Sequence, residues 1–231
     1  MIYEVKKLFV TITNMHKFLL SKWFAFWSGI VVLLIFIGFS YLVHRNFFTH
    51  FDFDMTVRLQ DHISRRFDTF FSFFSAIGEF EVVTVFLLII CGVYAYAKRK
   101  WLVFVGAFLF YGVLHLIEIY GKTFVHHFPP PHFMLRTQTL VSFPQFYVQT
   151  TNSYPSGHAG RALFITIFLG IMVGKTRKFS QTQKLLIYIF MIIYDVTMLT
   201  SRVYLGEHWT SDIIGGIFLG SAMGFLGAIF L

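Results

Sequence analysis

Apolar residues run along this chain in long blocks separated by short polar connections. Six blocks approach the roughly 20 residues that a helix needs to cross the hydrocarbon of a bilayer. They are Trp23–Val43, Phe80–Ala97, Trp101–Gly121, Ala159–Gly174, Leu185–Leu205 and Ile213–Leu231. In lipid every backbone N–H and C=O has to be satisfied within its own segment, which makes each block a helix. The stretch His44–Gly78, between the first two blocks, has a different rhythm. Met55, Val57, Leu59, Ile63, Phe67, Phe70, Phe71 and Phe74 recur near helical spacing, opposite charged positions. That is the pattern of an amphipathic helix lying along a membrane surface. The predicted fold is all-α: a polytopic membrane bundle of six transmembrane helices, with an extracytoplasmic interfacial helix between helices 1 and 2. No internal repeat, low-complexity tract or Gly/Ser linker divides residues 1–231, so one membrane-embedded domain is expected.

Composition supports the membrane reading. The 231 residues are 56% hydrophobic and only 13% charged, with 32 phenylalanines, too little charge to cover a soluble domain. A net charge of +8 raises nucleic acid as a partner. The basic residues fall between apolar blocks and form no single stripe, so they read as topology signals and no nucleic acid is expected. Lys6, Lys7, Lys17 and Lys22 precede the first block, Lys98, Arg99 and Lys100 the third, and Lys175, Arg177, Lys178 and Lys184 the fifth. On the other side Arg58, Arg65 and Arg66 alternate with Asp52, Asp54, Asp61 and Asp68. The bias predicts a multi-pass cell-membrane protein with both termini cytoplasmic and the longer loops outside. The first block is too long for a signal peptide and no small-residue cleavage site follows it in SYLVHRN, so it reads as a retained anchor. Cys91, the single cysteine, lies inside an apolar block and excludes a disulfide framework.

Two polar stretches at block ends carry candidate chemistry. In NSYPSGHAGRA (Asn152–Ala162), Pro155, Ser156, Gly157 and His158 open an apolar helix. A helix N-terminus presents unpaired N–H groups and positive dipole, and glycine lets an anion approach. Ser156 is a donor to a phosphate oxygen and His158 a general acid near neutral pH. The plainer reading of the same residues is a helix cap after a proline turn. In SRVYLGEHWTSDIIGG (Ser201–Gly216), His208 and Asp212 stand four apart and share a face if helical. The carboxylate then holds one imidazole nitrogen and leaves the other free to attack. Arg202 adds a forked donor suited to phosphate. Read structurally, Arg202, Glu207 and His208 are ordinary interfacial residues between helices.

Together these stretches resemble the type 2 phosphatidic acid phosphatase family of integral-membrane lipid phosphatases. The family pattern is a lysine followed after six residues by Arg-Pro, then Pro-Ser-Gly-His, then Ser-Arg, five residues, His, three residues, Asp. The second part is complete as Pro155–His158 and the third as Ser201, Arg202, His208 and Asp212. The resemblance implies that His208 attacks phosphorus, Asp212 orients it, and His158 protonates the leaving oxygen. It implies further that Lys122, Ser156, Gly157 and Arg202 hold the phosphate oxygens, with no cofactor and no catalytic metal. The implied substrate is a lipid phosphate at the outer face of the membrane: a polyprenyl diphosphate, phosphatidylglycerol phosphate or phosphatidic acid. A non-catalytic protein that binds or transports a lipid phosphate, and a phosphotransferase with an acceptor other than water, stay open. The oligomeric state is not set by the sequence.

The stretch GKTFVHHFPPPHF (Gly121–Phe133) departs from the pattern. Lys122 stands where the first-motif lysine belongs, but Pro129 replaces the expected arginine. Arg136 and Arg161 are the nearby candidate cations to make good the loss. His126, His127 and His132 also offer a metal reading, a weak match to zinc spacing with no cysteine nearby and no acidic residue between them. Packing of an aromatic-rich lid over Lys122–Gly157 is the preferred alternative. His115, Glu118 and Lys122 share a helix face, so Glu118 is expected to pair with Lys122. Asp195 reads as a second partner of the site or a helix–helix hydrogen bond. Gly216, Gly220, Gly224, Gly227 and Ser221 read as close helix packing.

Overall fold

The structure is a computed structural model that describes residues 21–137 and 151–231. The described residues form eight α-helices: α1 (Lys22–His44), α2 (Thr49–His62), α3 (Asp68–Ile77), α4 (Phe80–Lys98), α5 (Trp101–Phe124), α6 (Gly157–Lys175), α7 (Gln181–Tyr204) and α8 (Thr210–Gly227). Short 3₁₀ turns follow at Arg65–Phe67, His132–Met134 and Ala228–Phe230. Six helices are long and apolar enough to cross a membrane, and they coincide with the six apolar blocks. The expected topology signals Lys6, Lys7 and Lys17, and part of the expected lid (138–150), lie outside the described residues.

Local chemistry sets the helix ends. Ser21 caps α1 by accepting from the Phe24 amide at 3.1 Å, and Ser180 forms a capping box with Gln183 at the start of α7. Gly206 (φ 71°) turns the chain between α7 and α8, where a side chain would strike the Met134 carbonyl.

The last helix is the hub. α8 packs against α1, α5 and α6, and its closest neighbour is α6. Gly216, Gly220 and Gly224 recur every four residues along α8 and face the backbone of α6 at Ser156, Gly160 and Phe164. Without side chains there, the two backbones approach closely enough for dispersion to act over the whole contact. Around this pair, Phe36, Leu87, Leu114, Phe164 and Leu219 form the buried core. The outward faces carry large apolar groups such as Leu34, Leu116 and Phe190, each more than 60% exposed. An apolar exterior is what a bilayer solvent selects.

Charge separates the two ends of the bundle. Lys22, Lys100 and Lys175 cluster at one end, and Lys100 reaches the Leu231 carbonyl at 3.4 Å. The polar motifs gather at the other, where α5 ends and α6 and α8 begin.

The segment between the first two spanning helices is two helices, not the one expected. Extended backbone at Ile63 and Ser64 and a 3₁₀ turn separate α2 from α3. Their buried positions are polar, too: Asp52 and Thr56 on α2, and Asp68, Ser72 and Ser75 on α3. Phe51, Phe53, Phe70 and Phe73 are exposed, whereas Leu59 packs against Ala159, Val203 and Ile213. The polar faces are buried because they have partners. Asp52 accepts from Ser211, Asp68 from the Tyr204 hydroxyl, and Ser75 from Arg202. A hydrophobicity stripe cannot reveal a face buried for its hydrogen bonds.

Candidate active site

Three segments that are distant in sequence meet at the polar end of the bundle: the end of α5 with its following loop, the start of α6, and the turn between α7 and α8. Loop-to-loop hydrogen bonds hold them in register. The His127 amide donates to Asn152 Oδ1 (3.2 Å), Asn152 Nδ2 donates to the Lys122 carbonyl (3.0 Å), and the Ser153 amide donates to the His127 carbonyl (2.9 Å). The Ser156 amide donates to the Asp212 carbonyl at 3.0 Å, which ties the α6 start to α8. Trp209 Nε1 donates to the Phe128 carbonyl at 2.7 Å.

His208 and Asp212 are in contact, with Nδ1 to Oδ2 at 3.3 Å. The contact does not need both residues in a helix. His208 stands two residues before α8, and Asp212, in its first turn, reaches back to accept from the Trp209 amide at 3.0 Å. That cap fixes the carboxylate, which in turn holds Nδ1 and leaves Nε2 outward. Burial lowers the pKa of His208; Asp212 opposes that shift, while Arg202 and Lys122 add to it. The imidazole is therefore neutral near pH 7, the form that has a free lone pair.

His158 opens α6 on the other side, and the charges of Arg202, Arg161, His208 and Lys122 all act on it. Its Nε2 lies 3.8 Å from a Glu79 carboxylate oxygen. Burial raises the pKa of Glu79, against the lowering influence of Arg202 and Arg161. Gly157 backs onto the Glu118 carboxyl, which a Cβ would overlap.

The cations each hold a carboxylate. Lys122 Nζ donates to Glu118 Oε1 at 2.8 Å, the pairing expected from their spacing. Arg161 lies 3.7 Å from the same carboxyl group and donates to the Gly78 carbonyl at 3.1 Å. Arg202 pairs with Glu207 and donates to Ser75. Three polar atoms of this cluster are buried without a hydrogen-bond partner: Ser156 Oγ, His158 Nε2 and Arg202 Nε. Buried donors and acceptors are nearly always paired, so these three atoms are open to a polar ligand or water.

All seven sequence-predicted site residues, Lys122, Ser156, Gly157, His158, Arg202, His208 and Asp212, thus lie at one end of the bundle. Of the two candidate replacement cations, Arg161 enters the cluster. Arg136 turns away: its guanidinium lies 5.2 Å from the centre of the Tyr204 ring, and its amide bonds to Leu205. The three histidines of the proline-rich stretch diverge. His126 stacks near His44, His132 sits in a 3₁₀ turn, and His127 lies between Asp52 and Asp212. Among the described residues no group of three or more His, Cys, Asp or Glu side chains is arranged to hold a metal ion. Asp195 on α7 accepts a helix–helix hydrogen bond from the Thr166 hydroxyl on α6, at 3.0 Å. From the sequence, Glu118 is expected beside Lys122 and Arg161 as a candidate cation, whereas Asp52, Glu79 and His127 are not placed in this charged cluster. For Glu118 the four-residue spacing was a signal; for Asp52 and Glu79 there was none.

The family model for the PAP2 superfamily matches residues 99–231. Phosphatidylglycerophosphatase B of Bacillus subtilis (strain 168) is 33% identical over 78 residues, which cover 34% of this chain and 38% of that protein. The chain therefore matches well under half the length of this curated relative. A crystal structure described as the first transmembrane PAP2 type phosphatidylglycerolphosphate phosphatase from Bacillus subtilis superposes with a TM-score of 0.70 and 20% identity, covering 87% of this chain and 94% of that one. Aquifex aeolicus LpxE superposes with a TM-score of 0.52 and 18% identity, covering 77% and 94%. At these identities the two structures establish a shared fold.

Proposed function

From a chain that belongs to the PAP2 superfamily, we propose an integral-membrane lipid phosphatase, one membrane-embedded domain working through a phosphohistidine. The observation that carries the reading is the set of orphaned polar atoms on Ser156, His158 and Arg202, beside a neutral His208 oriented by Asp212. His208 Nε2 attacks the phosphorus of a lipid phosphate, forming a P–N bond as the P–O bond to the lipid breaks. His158 gives its proton to the leaving oxygen. A water molecule, deprotonated by His158, then attacks phosphorus, the P–N bond breaks, and His208 and free phosphate are regenerated. Negative charge spreads over the phosphoryl oxygens in both steps, and donors already in place stabilise it. Lys122, Arg202, Ser156 Oγ and the amides at Gly157 supply them. Arg161 contributes the cation that Pro129 cannot.

A substrate dianion takes the places now held by Glu118 and Glu207 on Lys122 and Arg202, so binding is an exchange of anions. The lysine cluster at the opposite end supports an orientation with that end cytoplasmic and the site extracytoplasmic. The exposed phenylalanines of α2 and α3 support their lying at the membrane interface, roofing the site. Phosphatidylglycerol phosphate, a diphosphate of a polyprenyl lipid and phosphatidic acid are the substrates to test.

The test is phosphate release by purified protein in detergent from these three lipids, with a chelator present and vanadate as inhibitor. Release by the wild type and none by His208→Ala is the expected result. Equal release by His208→Ala refutes the mechanism. A wild type that binds lipid phosphate but releases nothing points to a binding protein.

A further inference from the structure

His127 is not part of the motif pattern, yet it makes the shortest side-chain contact to Asp212. Its Nδ1 lies 2.8 Å from Asp212 Oδ1, and its Nε2 lies 3.5 Å from Asp52 Oδ2. Asp52 is itself fixed by Ser211, whose amide and hydroxyl donate to its two oxygens at 2.7 and 2.6 Å. All four residues are nearly inaccessible. A chain of contacts therefore runs Asp52, His127, Asp212, His208, and it draws on α2, the proline-rich loop and the turn into α8. The two oxygens of Asp212 are divided: Oδ1 faces His127, and Oδ2 faces His208 and the Trp209 amide.

Resting on the phosphatase reading above, we propose that His127 is a positioning residue: backed by Asp52, it fixes the Asp212 carboxylate and, through it, sets the orientation and basicity of His208. The charges around it fit this role. Burial opposes a charge on His127, but hydrogen bonds to Asp212 and Asp52 outweigh it and raise its pKa to about 9. Asp52 approaches from α2 and Asp212 from α8, with His208 across Asp212 and the buried Tyr154 phenol near enough to feel the Asp212 charge. At pH 7 His127 is then a cation that takes up part of the negative charge of Asp212. What remains is enough to hold the Nδ1 proton of His208 but too little to keep His208 protonated. The nucleophile stays neutral, and the cluster approaches neutrality when His208 carries the phosphoryl group.

The experiment follows His208 directly by ¹⁵N-histidine NMR of the full chain in detergent micelles, with its signal assigned by loss in His208→Asn. Removing His127 returns the Asp212 charge to His208. In His127→Gln the His208 midpoint therefore rises by about one pH unit, the size of one charge-assisted hydrogen bond. Asp52→Asn moves it the same way by less, because His127 still donates but is charged over a narrower range. In the same preparations the acid limb of the pH–rate profile shifts upward with the midpoint, and kcat falls on the order of tenfold with KM unchanged, as for loss of a group that orients a reacting one. A His208 midpoint unchanged in both variants overturns the proposal, as does a loss confined to KM. Asp52→Asn decides the matter if His127→Gln does not fold. A wild type that releases no phosphate refutes the phosphatase reading alone, since the His208 midpoint still reports whether His127 acts through Asp212.

Discussion

Replacing Gly216 by alanine should separate the two halves of the site. A Cβ at Gly216 would lie 2.5 Å from the Ser156 carbonyl oxygen and 2.7 Å from the Ala159 Cβ. Ordinary carbon-to-oxygen contacts begin near 3.3 Å, so α6 and α8 have to part by roughly 0.8 Å. Ser156 belongs to the motif that includes His158, and the α8 start holds Asp212 beside His208. The added methyl therefore moves His158 and His208, the proposed general acid and nucleophile, apart directly, and a misplacement near 1 Å costs on the order of 100-fold in rate. At Gly224 the nearest backbone atom, the Phe164 carbonyl oxygen, is 2.9 Å away, needs only about 0.4 Å, and lies two helical turns farther from the site. Gly224→Ala should then destabilise by about 1–3 kcal/mol as an overpacked contact but change kcat/KM by less than about tenfold. Gly112 is the control, with nothing within 4 Å of its built Cβ. The assay is phosphate release from a lipid phosphate, paired with thermal unfolding in the same detergent. Gly216→Ala within twofold of the wild type, or Gly112→Ala as damaging as either, refutes the idea that this backbone contact sets the catalytic distance.

Asp212→Asn should lower kcat by up to about 10⁴-fold, because an amide can hold His208 in the wrong tautomer; activity within tenfold of wild type would show that the Asp212–His208 contact is not used. Arg161→Ala should lower kcat/KM by at least about tenfold, whereas Arg136→Ala, whose guanidinium stacks on Tyr204, should leave it nearly unchanged; the reverse order would move the replacement cation to Arg136. Stability should also depend on pH through His127. Its folded pKa, about 9, is above the usual value near 6.5, so its contribution is fully present below pH 6.5 and is lost as pH rises through 9. The wild-type thermal midpoint should fall between pH 7 and 10, and Asp52→Asn should flatten that slope. Equal slopes would show that Asp52 does not hold the His127 proton.

The spans and the motif residues could be read from the chain because each rests on a local pattern. A block of apolar residues has to be a helix in lipid wherever its neighbours lie, and His208 with Asp212, or Glu118 with Lys122, meet because their sequence spacing brings them together. What escaped reading depends on contacts between distant segments. Asp52 looked like one more acidic residue among arginines, and only the fold brings it to Ser211 and His127, 159 residues further on in the first case. The apolar stripe through His44–Gly78 was incomplete for the same reason. It predicts one helix along the membrane surface, whereas the chain forms two, and partners on α7 and α8 bury their polar faces. The proline-rich stretch shows both sides of this. Three histidines within seven residues suggest a metal when read as a list, but Pro129, Pro130 and Pro131 cannot continue α5, and the chain sends His126 toward His44, His127 toward Asp52 and Asp212, and His132 into a separate 3₁₀ turn. Where the motif loses an arginine, the same loop contributes His127 to the Asp212 carboxylate that holds His208. Under the proposed mechanism, Pro129 is better understood as part of a changed charge arrangement, with Arg161 beside Glu118 and His127 against Asp212, than as the loss of one contact.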